Sequence, residues 1–194
     1  MQGAGRLGEL LRNARRGAGP PLEVPPPVIA RPGRSVFAVH DGNVTIAAQR
    51  AGADPDSDEC IARQVVHNRV TSVGRAALGD MLLNIGVAPG FVAVGTGTKA
   101  AEDADTGLQI EVYRAALSRR YRFTGLVRLK LFLSVSDANG NLLTEAGLFV
   151  GTSYNTSGSP SLGGQCFARA TFAPYFKDGT TQLTITWDLP ITSG

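Results

Sequence analysis

Between Val127 and Val135 every second residue is aliphatic: Val127, Leu129, Leu131, Leu133 and Val135 alternate with Arg128, Lys130, Phe132 and Ser134. Successive side chains of a strand point to opposite faces, so this period of two predicts a strand with one face on a core. Near the other end of the chain, Leu183, Ile185, Trp187 and Leu189 alternate with Thr184, Thr186 and Asp188 in the same way. Cys166–Phe172 reads as a strand between them, and Phe91–Val94 as a short apolar strand ending in Gly95-Thr96-Gly97-Thr98. Asp137–Asn141 supplies a turn after which Leu142–Val150 should return antiparallel. Ser35–His40 and Asn43–Ala47 flank Asp41-Gly42, a two-residue hairpin signal, and the sequence leaves this hairpin free to stand as a small unit of its own or to pack on the main body or on a neighbouring copy. Strands joined by Gly and Asn turns point to an antiparallel sandwich rather than a parallel sheet.

One helix interrupts the strands. Ser72–Asn84 places Val73, Ala77, Leu78, Met81 and Leu82 on one apolar face, with Thr71 or Ser72 to cap its start and Gly86 to stop it. The expected fold is therefore mainly β: an antiparallel β-sandwich with one short α-helix and an extended, proline-rich N-terminal arm. The division read from the sequence is an arm over 1–34, a hairpin and linker over 35–67, and the sandwich over 68–194.

The arm differs in kind from the rest. Six of the 11 prolines (Pro20, Pro21, Pro25, Pro26, Pro27 and Pro32) fall in it, which predicts polyproline-like extended chain over 17–34. Its six arginines against two glutamates give a surplus of +4, so with a total of +3 the remaining residues carry −1. Ahead of the prolines, Leu7, Leu10 and Leu11 recur at the spacing of a short amphipathic helix, marginal alone in water. With Arg12, Arg15 and Arg16, and with Val28 and Ile29 set among prolines, the segment reads as a docking arm that orders against a partner. A solvated leader needs none of these apolar residues. A nucleic-acid role is disfavoured because no aromatic is interleaved with the arginines to stack on bases.

Composition narrows the function classes. The chain of 194 residues has room for one sandwich plus an appendage. Its apolar runs fall short of the ~20 residues of a membrane-spanning helix, and its basic N-terminus lacks the apolar core of a secretory signal. Cys60 and Cys166 are expected to be free thiols, since neither sits at metal-ligand spacing. No cofactor or metal is expected. His40 and His67 have no ligand-type neighbours at the required spacing and read as ordinary strand and loop residues. Asp54, Asp56 and Asp58 alternate like calcium ligands but lack the later Gly and distant Glu of such a loop, so Ala51–Glu59 reads as a solvated linker.

Catalytic signatures are also missing. Gly95-Thr-Gly-Thr-Lys99 departs from the Walker spacing and reads as a tight strand exit, and no GxSxG elbow occurs. Glu102, Asp103, Asp105, Glu111, Glu145 and Asp188 are the carboxylates from which a glycosidase-type pair would have to come. Glu145 stands out, because it interrupts the apolar run Thr144–Phe149. A buried carboxylate needs a partner, Arg114 or Arg169, and a structural ion pair is the expected reading.

Six short motifs in order carry a resemblance: Asn68–Thr71 with Gly74, Phe91–Thr98, Gly107–Arg114, Thr144–Phe149, Phe167–Phe172 and Leu183–Trp187. Over residues 68–189 this series resembles virion structural proteins of tailed bacteriophages, described as tail-fibre-like or capsid-associated. The resemblance implies a non-enzymatic, β-rich module built into a virus particle as a symmetric oligomer, with a trimer favoured. It implies major capsid protein or tail proteins as partners, no membrane, and assembly in the host cytoplasm. A capsid cement or decoration protein anchored by the arm is the preferred expectation. The alternatives are a tail, baseplate or fibre component, and a carbohydrate-binding host adhesin. For the last, Tyr154 in the 151–164 loop, with Tyr175 and Phe176, is the available aromatic contact.

Overall fold

The computed structural model describes residues 38–39, 41–151 and 164–192. The arm residues Leu7, Leu10, Leu11, Arg12, Arg15, Arg16, Val28 and Ile29, and Tyr154 in its loop, lie outside the described residues.

Two antiparallel sheets pack face to face. In chain order the strands are β1 (Ala38–Val39), β2 (Asn43–Arg50), β3 (Ala62–His67), β4 (Arg69–Val70), β5 (Pro89–Gly95), β6 (Glu111–Ala116), β7 (Arg119–Phe123), β8 (Leu126–Leu133), β9 (Asn141–Val150), β10 (Gln165–Lys177) and β11 (Thr181–Thr192), with helix α1 (Ser72–Leu82) between β4 and β5. The first sheet runs β3-β2-β11-β8-β7, with β1 also on β11; the second runs β4-β10-β9-β5-β6. The expected sandwich with one short helix is the observed architecture. The two alternating segments fall where the pattern requires, with Leu129, Leu131, Leu133, Leu183, Ile185 and Trp187 buried against Val92, Val94, Leu148 and Ala170 of the opposite sheet. No helix among the described residues is long and apolar enough to cross a membrane.

Several local expectations are corrected. The Asp41-Gly42 hairpin does not form: β1 and β2 run in the same direction, each antiparallel to β11. Val39 faces Ile191 and Asn43 faces Asp188, so three residues on this side oppose two on β11, which is a bulge. Pro190, which has no N–H for a ladder, lies in the gap. Gly42 closes on the opposite strand so tightly that a Cβ there would fall 1.8 Å from the Asp188 carbonyl oxygen. Asn68 Oδ1 accepts from the Gly42 N–H and Asp41 accepts from Val70 N–H at 2.8 Å. β2 thus lies inside the first sheet, between β3 and β11, rather than in a separate unit.

The Asp137–Asn141 turn does not return the chain beside β8 either. β8 belongs to the first sheet and β9 to the second, so the turn crosses the sandwich. Ala51–Glu59, in turn, is solvated as read, with Ala51, Gly52, Asp54, Asp56, Asp58 and Glu59 exposed, but it is not a loose linker. It is strapped to the outer face of the first sheet, where Gln49 Nε2 donates to the Asp54 and Ser57 carbonyls and Gln182 Nε2 to that of Ala53.

The helix begins as read and ends differently. Thr71 caps it, its hydroxyl accepting from Gly74 N–H at 2.9 Å while donating to the Cys166 carbonyl. Gly74 and Ala77 are buried against β10, where a Cβ on Gly74 would lie 2.0 Å from the Phe167 carbonyl oxygen. The helix stops at Leu82, and Asn84 (φ 58°), not Gly86, takes the left-handed conformation after it. Leu82, expected on the buried face, is exposed.

Candidate functional site

The sequence singled out Glu145, and the fold explains why it tolerates burial. On β9 the residues Ala146, Leu148 and Val150 turn to the inter-sheet core, while Glu145, Gly147 and Phe149 turn to the outer face of the second sheet. That face is covered by the chain between β5 and β6, whose Leu108 packs on Phe91, Ala93, Phe149 and Cys166. Glu145 is fully buried beneath this cover.

Its two carboxylate oxygens are matched by donors. Oε1 accepts from Gly97 N–H at 2.9 Å and Ile110 N–H at 2.8 Å, and Oε2 from Gln109 N–H at 3.0 Å. The Arg169 guanidinium supplies the charge, with Nε at 3.0 Å and Nη2 at 2.8 Å from Oε2. Arg169 then donates through Nη1 to Asp105 at 2.8 Å and to the Ala100 carbonyl, and through Nη2 to the Lys99 carbonyl at 2.8 Å. Burial opposes the Arg169 charge, but the hydrogen bonds and charges of Asp105 and Glu145 more than offset it, so its pKa is raised. Asp105 is likewise held below the ordinary carboxylate range. Its desolvation is outweighed by the Glu102 N–H and by Arg169.

The structure thus gives Glu145 the partner Arg169. Arg114, the other expected candidate, is engaged elsewhere: it pairs with Glu111 through Nε at 2.8 Å and Nη2 at 2.6 Å, and lies over the Phe149 ring at 3.7 Å. The Gly95–Lys99 segment does cradle an anion, but the anion belongs to the chain itself. Glycine is required at 95 and 97 because a Cβ would fall 2.6 Å and 2.4 Å from Glu145 Oε1. Sequence reading did not find Asp105 as the second carboxylate on Arg169. Nor did it find Gln109, whose Oε1 accepts from both Thr98 and Lys99 N–H at 2.9 Å.

The remaining carboxylates are paired as well. Glu102 lies 2.9 Å from Lys99, Asp103 2.9 Å from Arg75, and Asp188 2.7 Å from Arg128. Each of the six carboxylates from which an acid and nucleophile would be drawn is therefore ion-paired, with Asp105 and Glu145 sharing Arg169. Among the described residues no three His, Cys, Asp or Glu side chains gather at metal-binding distance. Asp54, Asp56 and Asp58 diverge: Asp56 bonds Lys130 at 2.6 Å, which holds its pKa low, Asp58 pairs with Arg63, and Asp54 accepts from the Asp56 N–H. Cys60 and Cys166 are free thiols, and burial pushes Cys166 up to about 12. His67 is exposed, and His40 lies outside the described residues.

Of the aromatics named for a sugar contact, Tyr175 is half-buried and donates to Thr181 at 3.3 Å, whereas Phe176 is exposed. The other exposed aromatic among the described residues, Phe123, faces Leu126, the neighbour of Pro190, at the far end of β11 from Phe176. The two do not form one platform.

Compared with known proteins, the chain matches no family model, no curated protein and no solved structure. The resemblance of residues 68–189 to phage structural proteins therefore rests on the six sequence motifs alone.

Proposed function

We propose that this chain is a non-enzymatic structural subunit of a tailed-phage virion, a capsid cement or decoration protein anchored by its N-terminal arm. One observation carries the non-catalytic part: all six candidate carboxylates are committed to ion pairs, and the most buried of them is saturated by backbone N–H groups and Arg169. A catalytic acid needs a perturbed carboxyl group open to a substrate, and Glu145 beneath its cover has no such access. The virion assignment rests on the ordered motifs between Asn68 and Trp187. The anchoring role rests on the leucines, prolines and arginines of residues 1–34. An arm that orders on binding covers a large area across neighbouring subunits, which suits a protein that seals seams on a curved lattice.

In this reading the partners are the major capsid protein and further copies of the chain, as a trimer. The test compares the full chain with a version lacking residues 1–34, by solution mass and by rebinding to particles stripped of the protein. The expected result is an unchanged oligomeric state with particle binding lost. Binding to isolated tails but not to capsids would move the protein to the tail. Undiminished particle binding by the truncated form would overturn the arm as anchor.

A further inference from the structure

At one end of the sandwich the two sheets part around a groove of about 370 Å³. Its walls are apolar, formed by Leu78 and Met81 of α1, Val127 of β8, and Leu189 and Ile191 of β11. The volume is that of a binding site for an organic group rather than for a few waters. The apolar surface continues outside it. Leu82, Leu83, Ile85 and Val87, which connect Met81 to Ala88 on the groove wall, are all exposed, Leu83 at 71% and Ile85 at 74%.

The rim is charged, and with one sign. β7 ends the first sheet. Its residues Arg119 and Tyr121 reach Asp56 on the outer face, so Arg120 and Arg122 turn towards the second sheet and line the groove. Both are exposed, and neither has a carboxylate partner among the described residues. Inward charges on an end strand discourage edge-to-edge aggregation. That purpose does not account for four exposed aliphatic side chains beside them, since such a patch works against solubility.

We infer that this groove is a docking site for a polypeptide segment of a partner protein, one with aliphatic side chains flanked by carboxylates. Aliphatic groups fill the groove between α1 and β11 and cover the 82–87 turn, while carboxylates meet Arg120 and Arg122 at the rim. A single-chain amphiphile would fill the cavity but leave the 82–87 turn bare. The chain's own arm, with a surplus of +4, carries the wrong sign for an arginine rim. Pairing β7 with β7 of a second copy sets arginine against arginine. The inference deepens the structural-subunit reading by naming a surface and the chemistry of its partner.

The probe is a short fluorescein-labelled peptide of leucine and glutamate, added to the full chain and followed by fluorescence anisotropy. Its leucine–lysine counterpart, a peptide of residues 1–34 and decanoate are the competitors. The leucine–glutamate peptide should bind. R120E/R122E should weaken it by about tenfold or more, as loss of complementary rim charges does, and L83S/I85S should also weaken it. All these positions are exposed, and circular dichroism confirms that the variants fold. Equal binding of the lysine peptide, or unchanged binding by R120E/R122E, refutes the acidic partner. Displacement by the arm peptide makes the arm the occupant, and displacement by decanoate makes the groove a small-amphiphile site; either overturns the inference. A protein that joins particles normally but binds no leucine–glutamate peptide defeats the groove assignment alone, whereas failure to join particles defeats the subunit reading.

Discussion

The outer face of the second sheet and the open end of the sandwich solve opposite problems. On the first, a carboxylate and a guanidinium are buried and the chain supplies its own cover, with Gly97, Gln109 and Ile110 turning their N–H groups onto Glu145. At the second, aliphatic side chains and two arginines stand in water with nothing of the described chain over them. Covered polar groups stabilise a fold only if every donor and acceptor is matched, and here they are. Uncovered apolar groups contribute nothing to the isolated fold, and their use lies in contact with something else.

The largest way to break this contrast is Glu145→Ala. It strands three backbone N–H groups and removes one of the two carboxylates holding Arg169, and breaking a buried pair costs about 3–5 kcal/mol. Urea denaturation should show a loss of that size. A loss under about 1 kcal/mol would mean that water reaches the network and that the cover is not closed.

Acid should weaken the covered face at Asp105 and the β8–β9 turn at Asp137 more gradually. Asp105 and Asp137 both have folded pKa values below the usual carboxylate value. For each, desolvation is outweighed by bonds, from Glu102 N–H and Arg169 to Asp105 and from Ser134 and Tyr113 to Asp137. A folded pKa below the unfolded one means that the unfolded chain binds protons first. The stability these groups contribute is therefore complete above about pH 4 and declines as pH falls through their lower folded values. Urea midpoints between pH 7 and pH 2.5 should be level and then fall, and Asp105→Asn should flatten the acid limb. A midpoint already falling between pH 7 and 5 would assign the sensitivity to other groups.

Sequence legibility divides along the same line. The strands with a period of two, the Thr71 cap and the need of Glu145 for a basic partner were all local signals, and the structure uses each. The Asp41-Gly42 turn was a local signal too, but pairing of both flanks with β11 outweighs it. β7 stayed hidden because Arg119-Arg-Tyr-Arg-Phe123 alternates over only Tyr121 and Phe123, which share the outward face, its inward positions being the arginines of the groove rim. Asp105 and Gln109 lie 64 and 11 residues from the atoms they bind, and no spacing rule spans a cover folded over a sheet.

Between the two regions stands α1, capped beside the covered face and ending at the groove. Thr71→Ala removes the Gly74 cap and the bond to the Cys166 carbonyl, and caps of this kind are worth about 1 kcal/mol. Denaturation should register that loss. If the leucine–glutamate peptide also binds more weakly to this variant, the helix sets the groove's shape as well as the sandwich's stability.

The smallest effect is expected from L83S/I85S. These side chains are in water in the folded and the unfolded chain alike, so their removal should leave urea stability within about 0.5 kcal/mol of the parent. The value of the experiment lies in that near-zero. A loss above about 1 kcal/mol would mean that Leu83 and Ile85 are covered in solution, and repeating it across protein concentrations identifies the cover. A loss that grows with concentration assigns it to a second copy, whereas a constant one assigns it to the chain's own segments. Only the near-zero leaves the open end free for a foreign partner, which makes this minor substitution the sharpest control on the contrast between the two faces.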